Sequence, residues 1–249
     1  MYEPRTYRNL AHHNRFQYLN VDYLETDLRV ACHPAMPAEG LARFIRASII
    51  ALREKTEQYA LTRPEFFSSY VPIAADFQAP VVVKKMISAA RIAQVGPMAA
   101  VAGCFAEEIG KRIKAEFQVK ELIIENGGDI YLDIAQETYI SIFAGDSPLS
   151  NKIALKITPD IAPLGVCTSS GKVGHSFSYG RANAVTIACR DAALADAFAT
   201  AFGNRVRTAG DIQRVLTDIR ANPSILAACI IVDDQLAIQG KFEFQLIES

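Results

Sequence analysis

The chain has 249 residues, half of them hydrophobic, and its 26 basic and 27 acidic residues give a net charge of −1. This length and composition predict a folded protein that buries a full hydrophobic core. The near-neutral charge argues against a surface built to follow nucleic-acid phosphates or an anionic membrane, so we expect neither partner.

Targeting signals and cysteine pairs are not evident in the sequence. Residues 1–18 contain no apolar segment typical of a secretory signal, and no apolar run reaches the ~20 residues needed to span a bilayer. We therefore expect a cytoplasmic protein. The cysteines are widely spaced, without a CxxC pair, which disfavours a disulfide framework or a zinc site. Buried thiols are predicted at Cys32, Cys104, Cys167, Cys189 and Cys229.

Two strands and a helix are predicted at the start of the chain. Residues 15–33 alternate between apolar and polar and break near Glu25 and Thr26, which is typical of two strands joined by a turn. A helix is then indicated by apolar residues at helical spacing, namely Leu41, Phe44, Ile45, Ile49 and Leu52.

Two further helices and a hairpin complete the first half. Residues 81–94 and 96–117 are predicted to be helical, and Pro97 suits the first turn of the second helix. Residues 121–134 alternate on both sides of an Asn-Gly-Gly sequence at 126–128, the composition that mirror-image hairpin turns require.

The second half repeats this scheme less cleanly. Strands are predicted over 151–160, 164–170 and 182–190, helices over 191–203 and 211–222, and a final strand pair over 226–234 and 235–247. The fold class predicted is α+β, with duplicated β-β-α-α-β-β units and antiparallel sheets covered by helices. We expect one unit over 1–249 made of two intimate lobes, about 12–145 and 150–247.

The alanine-rich helix of the second half carries polar groups on an unexpected side. At ~100° per residue, Leu194, Phe198 and Phe202 form one apolar stripe. Asp196 and Thr200 lie nearly opposite, among alanines, where another backbone or a ligand can approach closely. A carboxylate and a hydroxyl four residues apart offer two oxygen ligands to a hard cation such as Mg²⁺. Alternatively, the threonine bonds its own helix and the aspartate meets water.

A loop rich in serine and glycine precedes that helix. Its sequence, CTSSGKVGHSFSYG at 167–180, supplies donors and small acceptors suited to a phosphate or a heterocycle. His175 within it is a candidate general acid or base near neutral pH. The alternative is a surface turn with a solvated histidine. For His12, His13 and His33, surface or capping roles are predicted.

The small-residue segment GPMAAVAG, residues 96–103, allows two interpretations. Either it packs tightly against a neighbouring helix, or its glycines and first-turn amides approach an anionic ligand, since helix N-termini attract phosphates. The sequence ENGGDI at 125–130 is interpreted as a hairpin turn.

Taken in order, GPMAAVAG, ENGGDIYL, CTSSG, His175 and ADAFAT resemble the ApbE-like superfamily, whose best understood members are FAD:protein FMN transferases. The chain is most similar to a smaller branch, over most of its length and including the TDLRV strand. The transferase motifs cover only residues from about 95 to 202. The resemblance implies a duplicated α+β architecture related to the T-fold.

The resemblance also implies a site. Asp196 and Thr200 would bind Mg²⁺, with a backbone carbonyl near Ala99 as a third ligand, and His175 would assist proton transfer. A threonine hydroxyl of an acceptor protein, or water, would attack the FAD pyrophosphate and release AMP. The cofactor-binding residues implied are Gly96, Met98, Gly127, Gly128, Asp129, Thr168, Ser169, Ser170 and Gly171.

The sequence departs from the transferases in several motifs. Ala102-Gly103 replaces their Lys-Gly pair, the run after His175 lacks their Asp and Pro, and their Met-Gly-Thr strand has no clear counterpart. Three hypotheses therefore stay open: a Mg²⁺-dependent enzyme acting on FAD or a similar dinucleotide, a flavin or nucleotide binder without chemistry, and a scaffold whose alanine-rich helix face packs against a second subunit in a homo-oligomer.

Overall fold

The computed structural model describes residues 15–171 and 180–246. The predictions for His12, His13 and His175 concern residues outside these ranges. The helices are α1 (Ala38–Thr62), α2 (Glu65–Ser68), α3 (Val81–Ala93), α4 (Val101–Phe117), α5 (Ala192–Gly203) and α6 (Ile212–Arg220). The strands are β1 (Gln17–Tyr23), β2 (Thr26–Cys32), β3 (Leu122–Asn126), β4 (Asp129–Asp133), β5 (Thr138–Ser141), β6 (Ile153–Ile157), β7 (Leu164–Ser169), β8 (Ala184–Cys189), β9 (Ile225–Val232), β10 (Gln235–Gly240) and β11 (Phe244–Leu246).

The first strands and helix form where the apolar periodicity places them. Strands β1 and β2 pair antiparallel up to Tyr23 opposite Thr26, so the turn lies where the alternation breaks. Helix α1 buries Leu41, Ile45 and Ile49, which repeat every four residues and form one stripe along the helix. That stripe packs on the sheet, so most polar residues of α1 lie on the opposite side of the helix.

Eight strands form one sheet in the order β1-β2-β3-β4-β7-β8-β9-β10, and every neighbouring pair in it is antiparallel. Strands β11, β6 and β5 form a second, three-stranded antiparallel sheet. The predicted α+β class with antiparallel sheets is confirmed. The duplicated unit and the two lobes stay predictions.

The two sides of the large sheet have different partners. Side chains alternate along a strand, so Tyr131 and Cys167 point one way while Leu132 and Val166 point the other. Tyr131 and Cys167 belong to the main core under the helices, which contains residues of both sequence halves. Leu132 and Val166 pack instead with Leu155 of β6, under the small sheet. The helices therefore cover one face, and the small sheet covers part of the other.

The end of the chain differs from the predicted strand pair. Strand β10 pairs with β9, but β11 leaves the large sheet and pairs with β6. Gly240 lies at this break with φ 129°, and a Cβ there would come within 2.4 Å of the Leu226 carbonyl oxygen. The strand β5 was not predicted, because it has only four residues and none of them is buried.

All five cysteines are free and buried, as predicted. Among the described residues no single helix has the length and apolarity to cross a membrane, although α3 together with residues 97–117 meets that test as a pair bent by 102°.

Candidate functional site

A cavity of about 630 Å³ is lined by residues of the helices, of the large sheet and of β5 in the small sheet. Its wall is made by the β1–β2 turn, α1, α2, the first turns of α4, the β3–β4 hairpin, the end of β5, strands β7 and β8, and α5. Most of the residues predicted to bind a cofactor or a metal line it: Met98, Gly127, Gly128, Asp129, Thr168, Ser169, Ser170, Asp196 and Thr200.

Three predicted residues lie outside the cavity wall. A Cβ on Gly96 would lie 1.8 Å from the Ser69 carbonyl oxygen, so this glycine permits close packing of two chain segments. A Cβ on Gly171 would meet the Gly180 carbonyl oxygen at 2.1 Å. Ala99 is partly buried against the main core. Their roles in binding stay predictions.

Helices α4 and α5 cross at unusually short distance. A Cβ on Gly103 would lie 2.2 Å from the Ala192 carbonyl oxygen and 2.9 Å from the Asp196 Cβ. On the other side of Ala192, a Cβ on Gly165 would lie 2.3 Å from its Cα. The tight-packing interpretation of the small-residue segment is thus confirmed. The alanine-rich side of α5 contacts α4 of its own chain, so the hypothesis that this face packs against a second subunit is wrong.

Each of these two helices caps the other. The Gly103 N–H in the first turn of α4 donates to the Asp196 carboxylate at 2.9 Å. The Ala192 N–H at the start of α5 donates to the Glu107 carboxylate at 2.7 Å. Helix first turns have N–H groups without helical partners, and a carboxylate both accepts from them and interacts favourably with the helix dipole. The crossing is thereby held in one register.

An ion-pair cluster around the buried Glu107 stabilises this side of the crossing. The Glu107 carboxylate lies 2.7 Å from Lys85 Nζ and 2.6 Å from Lys111 Nζ. Lys85 also pairs with Glu108 at 3.3 Å and with Asp191 at 3.5 Å. Burial raises the pKa of Glu107, but hydrogen bonds from Lys111 and Lys85 outweigh burial and hold that pKa below its usual value. These residues are not part of the cavity wall.

Two buried carboxylates, Asp129 and Asp196, lie on the wall of the cavity, only 9% and 8% exposed. Burial raises the pKa of both, and the charge of Asp196 raises the pKa of Asp129 further. The Cys167 thiol in the same core donates to the Ala192 carbonyl oxygen at 3.4 Å. Asp129 Oδ1 is buried without a hydrogen-bond partner in the part of the chain that the structure describes. The interpretation of Asp196 as a water-exposed side chain is wrong.

The β3–β4 turn positions Asp129. Gly127 and Gly128 have φ of 67° and 102°, so the turn is of the mirror-image kind predicted from the Asn-Gly-Gly sequence. The Gly128 N–H donates to the Glu125 carboxylate at 2.9 Å, and the Asn126 side-chain amide donates to the Ala102 carbonyl at 3.1 Å. The hairpin is thus tied to the first turn of α4.

Hydroxyl groups also line the cavity. The Thr168 and Thr186 hydroxyls are 2.9 Å apart across the β7–β8 pair, and Ser169 and Ser170 follow at the end of β7. A strand end that presents successive hydroxyls offers donors and acceptors to a polar ligand. The hydroxyls and the two carboxylates thus line one cavity.

Sequence patterns alone did not identify Arg53, which also lines the cavity. One signal was available, since Arg53 follows the buried Ile49 by one turn and precedes the buried Thr56 by one turn of α1. An arginine at that spacing places its aliphatic stem towards the buried side of the helix.

Comparison with known proteins shows the family to which the chain belongs. A family model described as "AbpE bacteria" matches residues 8–239. The chain belongs to this family. It is similar to the UPF0280 proteins of Methanocaldococcus jannaschii and Archaeoglobus fulgidus, each 38% identical over 198 residues that cover 78% of this chain and 80% of the relative. It is 46% identical over 159 residues to a UPF0280 protein of Methanococcus aeolicus, covering 63% of this chain and 64% of that relative.

Solved structures show the same architecture. The flavin transferase ApbE from Vibrio cholerae matches with a TM-score of 0.60 at 14% identity, over 90% of this chain and 96% of that one. The ApbE protein from Thermotoga maritima matches with a TM-score of 0.56 at 13% identity, over 91% and 97%. These matches confirm the ApbE-like fold that the motifs implied.

Proposed function

We propose that the cavity binds Mg²⁺ and the pyrophosphate of FAD, and that the chain transfers FMN to a protein threonine or to water. The observation that supports this most is the pair of buried carboxylates, Asp129 and Asp196, on the wall of a cavity of about 630 Å³. That volume lies within the ~300–1,000 Å³ of typical ligand pockets. The likeness to structures described as flavin transferases supports the flavin class of ligand.

The donor set fits a hard cation. Asp129 Oδ1 is buried without a partner among the described residues, and Thr200 follows Asp196 by one helical turn on the same wall. All three side chains offer oxygen, which Mg²⁺ prefers over nitrogen or sulfur. They would hold the ion, which when bound supplies charge neutralisation and polarises a phosphate oxygen.

The chain itself would bind and orient the dinucleotide. The glycine turn at Gly127 and Gly128 lets the backbone approach a phosphate closely, and the hydroxyls of Ser169 and Ser170 line the same cavity. Phe105 adds an apolar surface suited to a ring system and to excluding water.

The proposed reaction is a phosphoryl transfer. The attacking hydroxyl, of an acceptor protein or of water, forms a bond to the FMN phosphorus while the bond to the bridging pyrophosphate oxygen breaks and AMP leaves. The hydroxyl proton passes to His175, a role that follows from the resemblance and that belongs to this proposal, since His175 lies outside the described residues.

A second hypothesis is a scaffold without chemistry. It is favoured by the 2.9 Å hydrogen bond from the Gly103 N–H, which gives Asp196 a purely structural task as a helix cap. It is favoured as well by Ala102, where the transferases carry a lysine. Under this hypothesis Mg²⁺ does not bind to the two aspartates.

Calorimetric titration with Mg²⁺ distinguishes the metal-dependent function from the scaffold without chemistry. Asp129→Asn and Asp196→Asn should each weaken Mg²⁺ binding at least tenfold, because an amide carries no charge. The Asp196→Asn side chain still offers an acceptor oxygen to the Gly103 N–H, so the helix cap is retained. The exposed Asp22→Asn on β1 is the matched control and should bind as wild type does. Equal Mg²⁺ affinity in all four proteins would refute the metal site.

A further inference from the structure

Arg53 is the only basic side chain among the described residues that line the cavity. The acidic residues of the same wall are Glu25, Glu57, Glu125, Asp129 and Asp196. A phosphate entering such a cavity meets repulsion on most sides, so the position of the single guanidinium determines where an anion is favoured.

The guanidinium of Arg53 is mostly buried and incompletely bonded. Its side chain is 19% exposed, with Nη2 2.7 Å from Glu25 Oε2 and 3.2 Å from Glu57 Oε1. Its Nη1 donates to the Thr26 hydroxyl at 3.4 Å, a long contact. Its Nε is buried without a hydrogen-bond partner in the described part of the chain. A buried donor without an acceptor is costly, so this edge favours a further acceptor.

The two carboxylates that pair with Arg53 are themselves exposed. The Glu25 side chain is 82% exposed and the Glu57 side chain is 50% exposed. Ion pairs with exposed partners contribute little to stability, and they exchange readily with a competing anion. Nε and Nη2 form one edge of the planar guanidinium, an arrangement suited to binding two oxygens of a phosphate at once.

We propose that Arg53 binds a phosphate group of the ligand through its Nε and Nη2 edge, in exchange for Glu25 and Glu57. This proposal rests on the proposed function in that it places the ligand in the same cavity. It does not depend on Mg²⁺, because Arg53 belongs to α1 beside the β1–β2 turn, whereas Asp129 and Asp196 belong to β4 and α5.

The test is calorimetric titration of the full chain in EDTA with two probes, inorganic pyrophosphate and FMN. Arg53→Met should weaken binding at least tenfold, since it removes a charge-assisted pair of hydrogen bonds. Arg53→Lys should also weaken binding, because an ammonium lacks the planar edge. Glu25→Gln should act in the opposite direction and tighten binding severalfold, because it removes the competing carboxylate.

The control is Arg43→Met, on the same helix with its side chain 75% exposed, which should not change either affinity. Equal losses for both probes in Arg53→Met would show that phosphate alone is recognised, and a loss for FMN alone would show a phosphate recognised as part of a flavin nucleotide. Either supports the proposal. Glu25→Gln tests it even where an Arg53 variant does not fold.

The proposal would be overturned by unchanged affinity for both probes in Arg53→Met, by weaker binding in Glu25→Gln, or by no binding of either probe to the wild-type chain. Its failure is distinguishable from that of the proposed function. Arg53-dependent pyrophosphate binding without Mg²⁺-dependent FAD binding would overturn only the proposed function. Mg²⁺-dependent FAD binding without Arg53-dependent pyrophosphate binding would overturn only the proposed role of Arg53.

Discussion

Asp196 accepts a hydrogen bond from the Gly103 N–H and also lies on the cavity wall, so one carboxylate links the packing of α4 to the ligand site. Substitution by alanine would remove a cap as well as a charge, and the two losses would be confounded. Substitution by asparagine separates them, which is why the metal test uses Asp196→Asn. Asp129, whose Oδ1 is without a partner in the described chain, provides a second and independent site of substitution.

Gly103 is required by sterics. In Gly103→Ala the new Cβ would lie 2.2 Å from the Ala192 carbonyl oxygen, a backbone atom that cannot rotate away. We expect this variant to lose about 3 kcal/mol of unfolding free energy, measured by denaturant titration. The control is Gly40→Ala in α1, where no heavy atom of the described residues lies within 4 Å of the new Cβ. It should be unchanged or about 0.5 kcal/mol more stable. Equal stability of both variants would contradict the close crossing.

Single residues differ in how far sequence predicts them. Asp196 and Thr200 were predicted because a polar pair on an alanine-rich helix breaks a local pattern, and both lie on the cavity wall. The proximity of Asp129 to Asp196 depends on the pairing of distant strands and leaves no local pattern. Arg53 was missed because an arginine on an amphipathic helix usually lies in solvent.

At the scale of elements, α4 and α5 hold each other through reciprocal caps and the Lys85–Glu107 ion pair. The pKa of Glu107 is held below its usual value because hydrogen bonds from Lys111 and Lys85 outweigh burial. A carboxyl with a lowered folded pKa contributes stability above its unfolded pKa, and that contribution is lost as the pH falls through the folded value. The crossing should therefore weaken in acid.

The variant Glu107→Gln tests this element pair. At neutral pH we expect it to unfold about 3 kcal/mol more easily, because Lys85 loses its closest buried partner. The difference from wild type should shrink as the pH falls below the usual Glu pKa of about 4.3. Unfolding by urea over a pH series measures this. Glu39→Gln, with an exposed side chain on α1, is the control and should show little difference. A difference independent of pH would contradict the ion-pair account.

Elements with a strong apolar period were predicted near their observed positions, including α1, α3 and the β3–β4 hairpin. Strands β5 and β11 were not distinguished, since they have four and three residues and pair with β6 in the small sheet. The 3₁₀ turn at Pro97–Ala100 before α4 was also missed, because the composition of both segments is helical. Short elements that depend on distant partners leave little periodicity to detect.

At the scale of the whole molecule, the cavity needs both sequence halves. The first half contributes α1, α4 and the β3–β4 turn, and the second contributes β7, β8 and α5. The large sheet joins the halves through the β4–β7 pair, and one core runs beneath the helices of both. The sequence predicted the order of elements, but only strand pairing brings the turn at Asp129 to α5.

The most direct measurement is calorimetric titration of the wild-type chain with FAD, once with Mg²⁺ and once with EDTA, followed by assay for AMP. The proposed function predicts FAD binding that is at least tenfold tighter with Mg²⁺, and AMP that accumulates only with the metal. Loss of AMP release in His175→Ala, with FAD affinity retained, would support its role in proton transfer. Failure to bind FAD under either condition would contradict the claim that this cavity is a flavin dinucleotide site.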